Sequence, residues 1–381
     1  MAESEPISSD AWQPPAPSVT AKAKAPLWSK FTTIGSVVLL LIAIAGFVIH
    51  VPYSTISPGE AVQLAPKVTV DGGKSFMQNR GDIRLLFVRE RYHVNLWRFL
   101  FAHLDQNTDV IADQAINPGN ESPERQNQEA EQNMADAKVS ATKVALEAAG
   151  YTVKTIPGLT ASGFTPHFPA EKVLDFGDVL LTADGKELKT AADLTRIIQS
   201  KNVGDMLRLG ITRAGKPMTV NVGIAKLDNR KIIGIEVSPR FKFPITVNVD
   251  TSQIGGPSAG LAMTLALIDQ LTPGNLTGGD KVAVTGTIES DGSVGEIGGI
   301  EQKAVAARAA HAQVFLVPKC STSDPAPYYA DCQRQLTAAK KRAGSHIKVI
   351  PVGTLKDALA ALRSIGGAPV TPPTTSAAAA A

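Results

Sequence analysis

The chain has 381 residues, of which 44% are hydrophobic and 19% are charged, and its formal net charge at pH 7 is +3. That length accommodates two or three domains with ordinary hydrophobic cores. Because the charge is small, it gives no electrostatic reason to expect nucleic acid, and we predict no nucleic-acid partner. Residues 1–27 are rich in Ala, Pro and Ser and are predicted to form a disordered tail.

A long apolar run follows this tail. Residues 31–49 carry no charge, and a helix rising about 1.5 Å per residue over that length can cross a hydrocarbon core of about 30 Å. Trp28 and Tyr53 flank the run, and lysines are concentrated on its N-terminal side. We therefore predict one transmembrane helix over residues 28–50, with the N-terminus in the cytoplasm and the remaining chain outside it. A cleaved signal peptide and a buried core helix are the alternatives.

Residues 51–150 are predicted to form a membrane-proximal region of strands and helices. Short apolar stretches alternate with Gly and Asp turns over residues 56–112, which is typical of strands, and residues 95–104 resemble a short helix. Ser122 and the Pro-Glu pair after it supply a cap, a first-turn proline and an early acid. A long helix should begin there and end at Gly150.

The pattern changes again over residues 151–228. A capping box at Thr190 and Asp193 opens a short amphipathic helix over residues 191–199, and Asp-Gly and Ala-Gly pairs mark two hairpin turns. The string FGDVLL, followed by DGK, this helix and an RAGK hairpin, resembles a PDZ domain. The resemblance implies capture of an extended peptide at a sheet edge, with a carboxylate-binding loop near residues 157–168. A purely structural spacer is the alternative.

Ser258 lies in the most informative stretch of the chain. A strand over residues 244–249 leads to a glycine-rich turn, and apolar residues then recur at helical spacing to Leu271. Ser258 should therefore lie at a helix N-terminus, where unpaired N–H groups can hold an oxyanion. Pro257 cannot donate, so the backbone amides of Ser258, Ala259 and Gly256 are the candidates.

A serine hydroxyl needs a base to become a useful nucleophile. None of the six histidines lies in a glycine-rich or strand-end setting, whereas Lys303 begins a second helix after a Gly-Gly pair. A free lysine has a pKa of about 10.4, so its pKa must fall substantially before it can act as a base at neutral pH. Burial among Ala and Val side chains and the positive end of its helix act in that direction.

Three linked motifs then resemble the proteolytic domain of Lon peptidases: GGPSAG at 255–260, Thr285-Gly286 at a strand end, and DGSVGEIGGIEQK at 291–303. The resemblance implies an α+β peptidase domain over residues 229–365, with the PDZ-like module inserted into it. It also implies that Ser258 is the nucleophile, that Lys303 is the general base, and that the Thr285 hydroxyl orients the lysine. Gly255 stands where the family often has an acidic residue, which leaves the lysine's electrostatic setting open.

Together these features resemble the membrane-anchored, PDZ-containing Lon-like proteins of bacteria. No GxxxxGK[ST] phosphate loop occurs in the sequence. We predict an ATP-independent serine endopeptidase that acts on exported or membrane proteins, with no cofactor and no metal, and with homo-oligomer formation as a further expectation.

Two other functions remain open at this stage. The GPSAG string also fits the GxSxG nucleophile elbow of α/β-hydrolase esterases, for which Asp331 and His346 are formal triad partners. An inactive scaffold that tethers partners through its PDZ-like domain is the second alternative.

Cys320 and Cys332 are the only cysteines, and they share one polar, proline-containing segment. In an exported protein they are a candidate disulfide, and two separate thiols are the alternative. The last segment, residues 366–381, is Pro, Thr and Ala without periodicity, and it is predicted to be disordered.

Overall fold

The computed structural model describes residues 27–73, 75–76, 81–119, 121–251 and 256–372. Most of the two predicted tails, and also Gly255, therefore lie outside the described residues. The helices are α1 Leu27–Val48, α2 Leu96–Ala102, α3 Asp113–Ile116, α4 Pro123–Ala148, α5 Ala191–Gln199, α6 Gly260–Leu271, α7 Ile300–Ala309, α8 Ala326–Ala343 and α9 Leu355–Arg363.

The strands alternate with these helices along the chain. They are β1 Tyr53–Gln63, β2 Val68–Asp71, β3 Asp82–Arg91, β4 Asp109–Ala112, β5 Lys154–Phe164, β6 Val179–Ala183, β7 Lys186–Glu187, β8 Met206–Arg213, β9 Lys216–Gly223, β10 Ala225–Leu227, β11 Arg230–Ile232, β12 Ile235–Lys242, β13 Thr246–Val249, β14 Lys281–Val284, β15 Val314–Pro318 and β16 Lys348–Val352. The mixed α+β class predicted from the sequence is confirmed.

Helix α1 covers most of the predicted membrane-spanning segment. Among the residues that the structure describes, however, no helix was found to combine the length and the apolar character needed to cross a membrane. The transmembrane span over residues 28–50 stays a prediction.

One six-stranded sheet, in the order β16-β15-β14-β3-β1-β4, forms the centre of the peptidase part. Strands β16, β15, β14 and β3 are parallel neighbours, whereas β1 pairs antiparallel with β3 and β4. The sheet combines strands that precede the PDZ-like module with strands that follow it. The expected insertion of this module into the peptidase fold therefore agrees with the sheet topology.

Both faces of the central sheet are covered by helices. Along β14, Val282 and Val284 belong to the core shared with α4 and α6, while Ala283 belongs to the core shared with α7 and α8, as the two-residue side-chain period of a strand requires. Every residue of α6 is buried, which is typical of a helix that is apolar around its whole circumference. The helix that begins directly after Ser258 is thus held rigidly inside the domain.

A second, antiparallel sheet in the order β12-β5-β6-β8-β9 forms the PDZ-like module. The capping box at Thr190 and Asp193 is present at the start of α5. The predicted Asp-Gly and Ala-Gly turns connect β6 to β7 and β8 to β9, and both residues of each pair have positive φ, as type I′ hairpin turns require. The loop predicted near residues 157–168 was wrong over most of its range, because β5 continues to Phe164 and pairs with β12 and β6.

Candidate active site

Ser258 lies in a 3₁₀ turn, Pro257–Ala259, that runs directly into α6. A Cβ atom at Gly260 would lie 2.8 Å from the backbone nitrogen of Ile288, so only glycine allows the helix start to approach residues 287–288 this closely. The serine is therefore held at a helix N-terminus, as predicted from the sequence.

Lys303 lies in the first turn of α7, and its Nζ donates a hydrogen bond to Ser258 Oγ over 3.1 Å. The lysine is only 3% exposed. Burial lowers its pKa to about 8, and the charge of Glu90 opposes this shift by favouring the ammonium form. A lysine with this pKa is neutral in a useful fraction of molecules slightly above neutral pH, so it can accept the serine proton.

Thr285 is fully buried at the end of β14 and lies next to this pair. Its hydroxyl contacts the Ser258 carbonyl oxygen at 3.5 Å, and the Gly286 amide donates to the same oxygen over 3.0 Å. Both interactions fix the backbone of the nucleophile. The contact of the Thr285 hydroxyl is therefore with the serine and not with Lys303, so its predicted role in orienting the lysine stays a prediction.

The 3₁₀ turn also narrows the choice of oxyanion donor. The turn begins after Gly256, so its i→i+3 bonding pattern uses the Ala259 amide for its first hydrogen bond. Among the described residues, the Ser258 amide has no hydrogen-bond partner within this turn, and it belongs to the same residue as Oγ. Of the three candidates, Ser258, Ala259 and Gly256, we therefore favour the Ser258 N–H over that of Ala259, and Gly256 stays a candidate.

The alternative histidine triad does not assemble around Ser258. The Asp331 carboxylate accepts hydrogen bonds from Arg334 and Gln335, and His346 is exposed in the loop between α8 and β16. The strand before the serine is β13, which in the described part of the chain pairs with β2 in a separate two-stranded sheet. This arrangement differs from a nucleophile elbow at the end of a central strand.

Cys320 and Cys332 are joined in a disulfide with a Cα–Cα distance of 5.8 Å. The bond connects the segment after β15 to helix α8 on the side of the sheet that carries Lys303. Because both sulfur atoms are used in the bond, neither is a thiolate that could bind a metal.

Sequence reasoning missed two neighbours of the site. Glu90 is at the end of β3 and acts on Lys303 through its charge, and Gln302 is 1% exposed with its side-chain nitrogen unpaired among the described residues. Gln302 precedes Lys303 in the motif and could have been noted from that position. Glu90 gave no local signal, because only the fold brings β3 near α7.

A cavity of about 340 Å³ opens beside the serine turn. Gly256, Tyr92 and Phe164 line it, together with polar side chains of α4 that include Glu129. Gly256, two residues before Ser258, is the point at which this cavity reaches the serine turn.

Comparison with known proteins defines the class of this site. The family model of the Lon protease (S16) C-terminal proteolytic domain matches residues 234–342, which contain Ser258, Thr285 and Lys303. The chain therefore carries a serine peptidase domain of the Lon type. A PDZ domain model matches residues 158–224, so the chain combines this proteolytic domain with a PDZ domain.

The curated relatives are Lon proteases. That of Vibrio parahaemolyticus is 29% identical over 185 residues, which cover 49% of this chain and 21% of the relative. The Lon protease of Haemophilus influenzae is 46% identical over 69 residues, or 18% of this chain and 8% of the relative. The matched part of the chain thus spans 21% and 8% of the length of these two relatives.

Among solved structures, the PDZ domain of the SdrC-like protein from Listeria monocytogenes is 26% identical and matches 22% of this chain and 90% of its own, with a TM-score of 0.21.

Proposed function

We propose that this protein is an ATP-independent serine endopeptidase that hydrolyses peptide bonds in exported or membrane proteins. One observation carries the proposal: the Nζ of Lys303, an almost completely buried lysine, lies 3.1 Å from Ser258 Oγ. A buried amine with a lowered pKa beside a serine hydroxyl at a helix start is an arrangement suited to acyl transfer.

In the proposed reaction, neutral Lys303 Nζ takes the proton of Ser258 Oγ while Oγ attacks the carbonyl carbon of the scissile peptide. The negative oxygen of the tetrahedral intermediate is stabilised by the Ser258 N–H at the positive end of α6. The Lys303 ammonium then protonates the leaving amine, which leaves an acyl-enzyme on Oγ. Water attacks this ester, Lys303 takes the proton of the water, and Oγ leaves with that proton when the acid product separates.

The absence of a GxxxxGK[ST] motif from this sequence supports independence from ATP. If hydrolysis proceeds independently of ATP, as proposed, the substrates would be flexible or already unfolded segments. The cavity that reaches the serine turn at Gly256 is a candidate place for such a segment to bind. Assembly into a homo-oligomer belongs to the same proposal and can be read from the mass of the purified protein in detergent.

Labelling with a serine-directed phosphonate tests the nucleophile. We expect the full chain to be labelled and to digest casein, and we expect Ser258→Ala to lose both properties, because no other group would then form the acyl-enzyme. Ser323→Ala, which removes an exposed hydroxyl on the loop before α8, is the matched control and should keep both. Undiminished labelling of Ser258→Ala would contradict the proposed nucleophile, and an unlabelled wild-type chain would favour the inactive scaffold.

We also propose that α1 anchors the protein in a membrane, with its N-terminus in the cytoplasm and the peptidase outside. The uncharged run over residues 31–49 supports this arrangement, as does the exposure of its apolar side chains, for example Leu39 at 69% and Phe47 at 65%. Trp97 on α2 donates its Nε1–H to the Ala43 carbonyl oxygen over 2.9 Å. Nearby, the exposed Phe101 on α2 and Leu104 in the turn after it add to the exposed apolar surface.

Membrane fractionation tests the anchor. After an alkaline carbonate wash, the full chain carrying Ser258→Ala should stay with the membrane pellet, because an apolar helix of this length is not released by breaking electrostatic contacts. The same chain without residues 1–49 should move to the supernatant. Protease added outside intact cells, after removal of any outer envelope, should digest the PDZ and peptidase domains. Release of the full chain by carbonate would contradict the proposed anchor.

A further inference from the structure

Strand β12 occupies the edge of the PDZ sheet beside β5. It pairs antiparallel with β5 over its whole length, from the Ile235–Phe164 pair to the Lys242–Lys154 pair. PDZ domains take up an extended peptide as an added strand of this kind. Here the added strand is β12, a segment of the same chain.

The segment before β12 fills the space between β5 and helix α5. Ile233 is 1% exposed and belongs to the same core as Leu194 and Ile197 of α5. Lys231 Nζ donates to the Gln199 carbonyl oxygen over 2.6 Å, and Gln199 Nε2 donates to the Lys231 carbonyl oxygen over 2.7 Å. These bonds attach the segment to the C-terminal end of α5.

The side chains of this segment alternate as those of a bound peptide do. Ile233, Ile235 and Val237 contribute to the PDZ core, while Glu236 between them is exposed. In an extended chain this two-residue period gives one face to the domain and the other to solvent. Specificity in strand addition arises from pockets for alternate side chains, and here residues of the chain itself fill those positions.

We infer that residues 230–242 are a built-in ligand of the PDZ domain, and that an external extended peptide with alternating apolar residues binds this groove only by displacing them. The apparent affinity of such a peptide is then its intrinsic affinity multiplied by the fraction of molecules in which the segment has left the groove. The domain therefore differs from a PDZ domain whose peptide groove is always empty.

The same segment is connected to the catalytic turn, which ties this inference to the proposed peptidase function. Helix α4 packs against both β12 and the 3₁₀ turn of Ser258. Burial raises the pKa of Asp136 on α4, and the nearby Ser238 of β12 opposes this shift. Displacement of β12 would therefore remove one contact of the helix that also packs on the nucleophile's turn.

The probe for the test is a fluorescent synthetic peptide with the sequence of residues 230–242, RKIIGIEVSPRFK. The protein is the full chain with Ser258→Ala in detergent, so that the probe is not cleaved. The cysteine pair Thr160→Cys and Ser238→Cys bridges β5 and β12 at directly paired positions. The control pair Arg208→Cys and Asn221→Cys bridges β8 and β9, which are also directly paired but do not hold β12.

We expect the oxidised β5–β12 lock to abolish probe binding, measured by fluorescence anisotropy, and mild reduction to restore it. The oxidised control pair should bind the probe as the unlocked protein does. Ile233→Ser, which weakens the resident segment, should increase the apparent affinity by about tenfold or more, because a larger fraction of the grooves is open. In the unlocked protein the probe should also speed hydrogen exchange of the amides of residues 235–242.

Equal binding to the locked and unlocked proteins would overturn the inference, because the probe would then use another surface. Failure of the probe to bind any form, reduced and Ile233→Ser forms included, would overturn it as well. Neither result depends on catalysis, since all forms carry Ser258→Ala. An inactive peptidase would conversely leave the binding experiment unchanged.

Discussion

Lys303→Met should lower kcat/KM for an unfolded protein substrate by about 10²–10⁴-fold, the usual contribution of a positioned general base. Methionine fills a similar volume without strain, but its thioether cannot take the proton of Ser258 Oγ. The measurement is the initial rate of casein digestion, or of a fluorogenic peptide derived from it, by the full chain in detergent.

Two further variants sharpen this result. Lys303→Arg keeps the positive charge but not the base, because a guanidinium is not deprotonated in proteins, and it should be as inactive as Lys303→Met. His346→Ala should keep wild-type activity, since this histidine is exposed and not part of the site. The opposite pattern, in which Lys303→Met is active and His346→Ala is not, would support the esterase triad and contradict the lysine base.

The same Lys303→Met substitution should stabilise the peptidase domain by about 3 kcal/mol at pH 7. The pKa of Lys303 is about 8 in the folded protein, against an ordinary value of 10.5, and each unit of this difference corresponds to about 1.4 kcal/mol. Below pH 8 the lysine is charged in both states, so the folded state carries the full cost of a buried cation. Between pH 8 and 10.5 only the unfolded state remains largely protonated, so wild-type stability rises with pH there.

Denaturant unfolding of both proteins between pH 7 and pH 11 measures this effect. The advantage of Lys303→Met should be largest at pH 7 and should disappear as the pH passes the unfolded pKa of about 10.4. Lys356→Met, which removes an exposed lysine from α9, should change the free energy of unfolding by no more than about 0.5 kcal/mol. If Lys303→Met destabilises the domain at pH 7, the lysine does not carry the burial cost that we assign to it.

Local features of the fold were readable from the sequence because their causes are local. The Ser122 cap of α4 and the capping box at Thr190 depend on hydrogen bonds to residues three positions away, and both are present. The hairpin turns depend on backbone angles that their two central residues adopt.

Strand partners were not readable in the same way. Nothing near β3 indicates that it pairs with β14, or that β12 closes the PDZ sheet against β5. These pairings bring together segments that are distant in sequence, and they are decided by the packing of the whole domain. For the same reason, the sequence could not show that β12 fills the groove in which a PDZ domain takes a peptide.

The sequence indicated the residues of the candidate site and the direction of the Lys303 pKa shift, but not the geometry of the pair or the contribution of Glu90. The glycine-rich turn and the Gly-Gly pair predicted that Ser258 and Lys303 lie at helix starts. At such positions the helix N-terminus stabilises an oxyanion and lowers the pKa of a lysine. The separation of their side-chain atoms, the burial of Lys303 and the opposing charge of Glu90 all follow from tertiary structure. Those quantities determine whether the lysine is a base or a solvated cation.

The pH dependence of kcat/KM tests the central claim most directly, because it reports the pKa of the essential base in the free enzyme. We predict a rate that rises about tenfold per pH unit on the acid side and levels off above a midpoint of about 8, the folded-state pKa of Lys303. A midpoint near that of an ordinary histidine, about 6.5, that is unchanged in Lys303→Met would contradict the account.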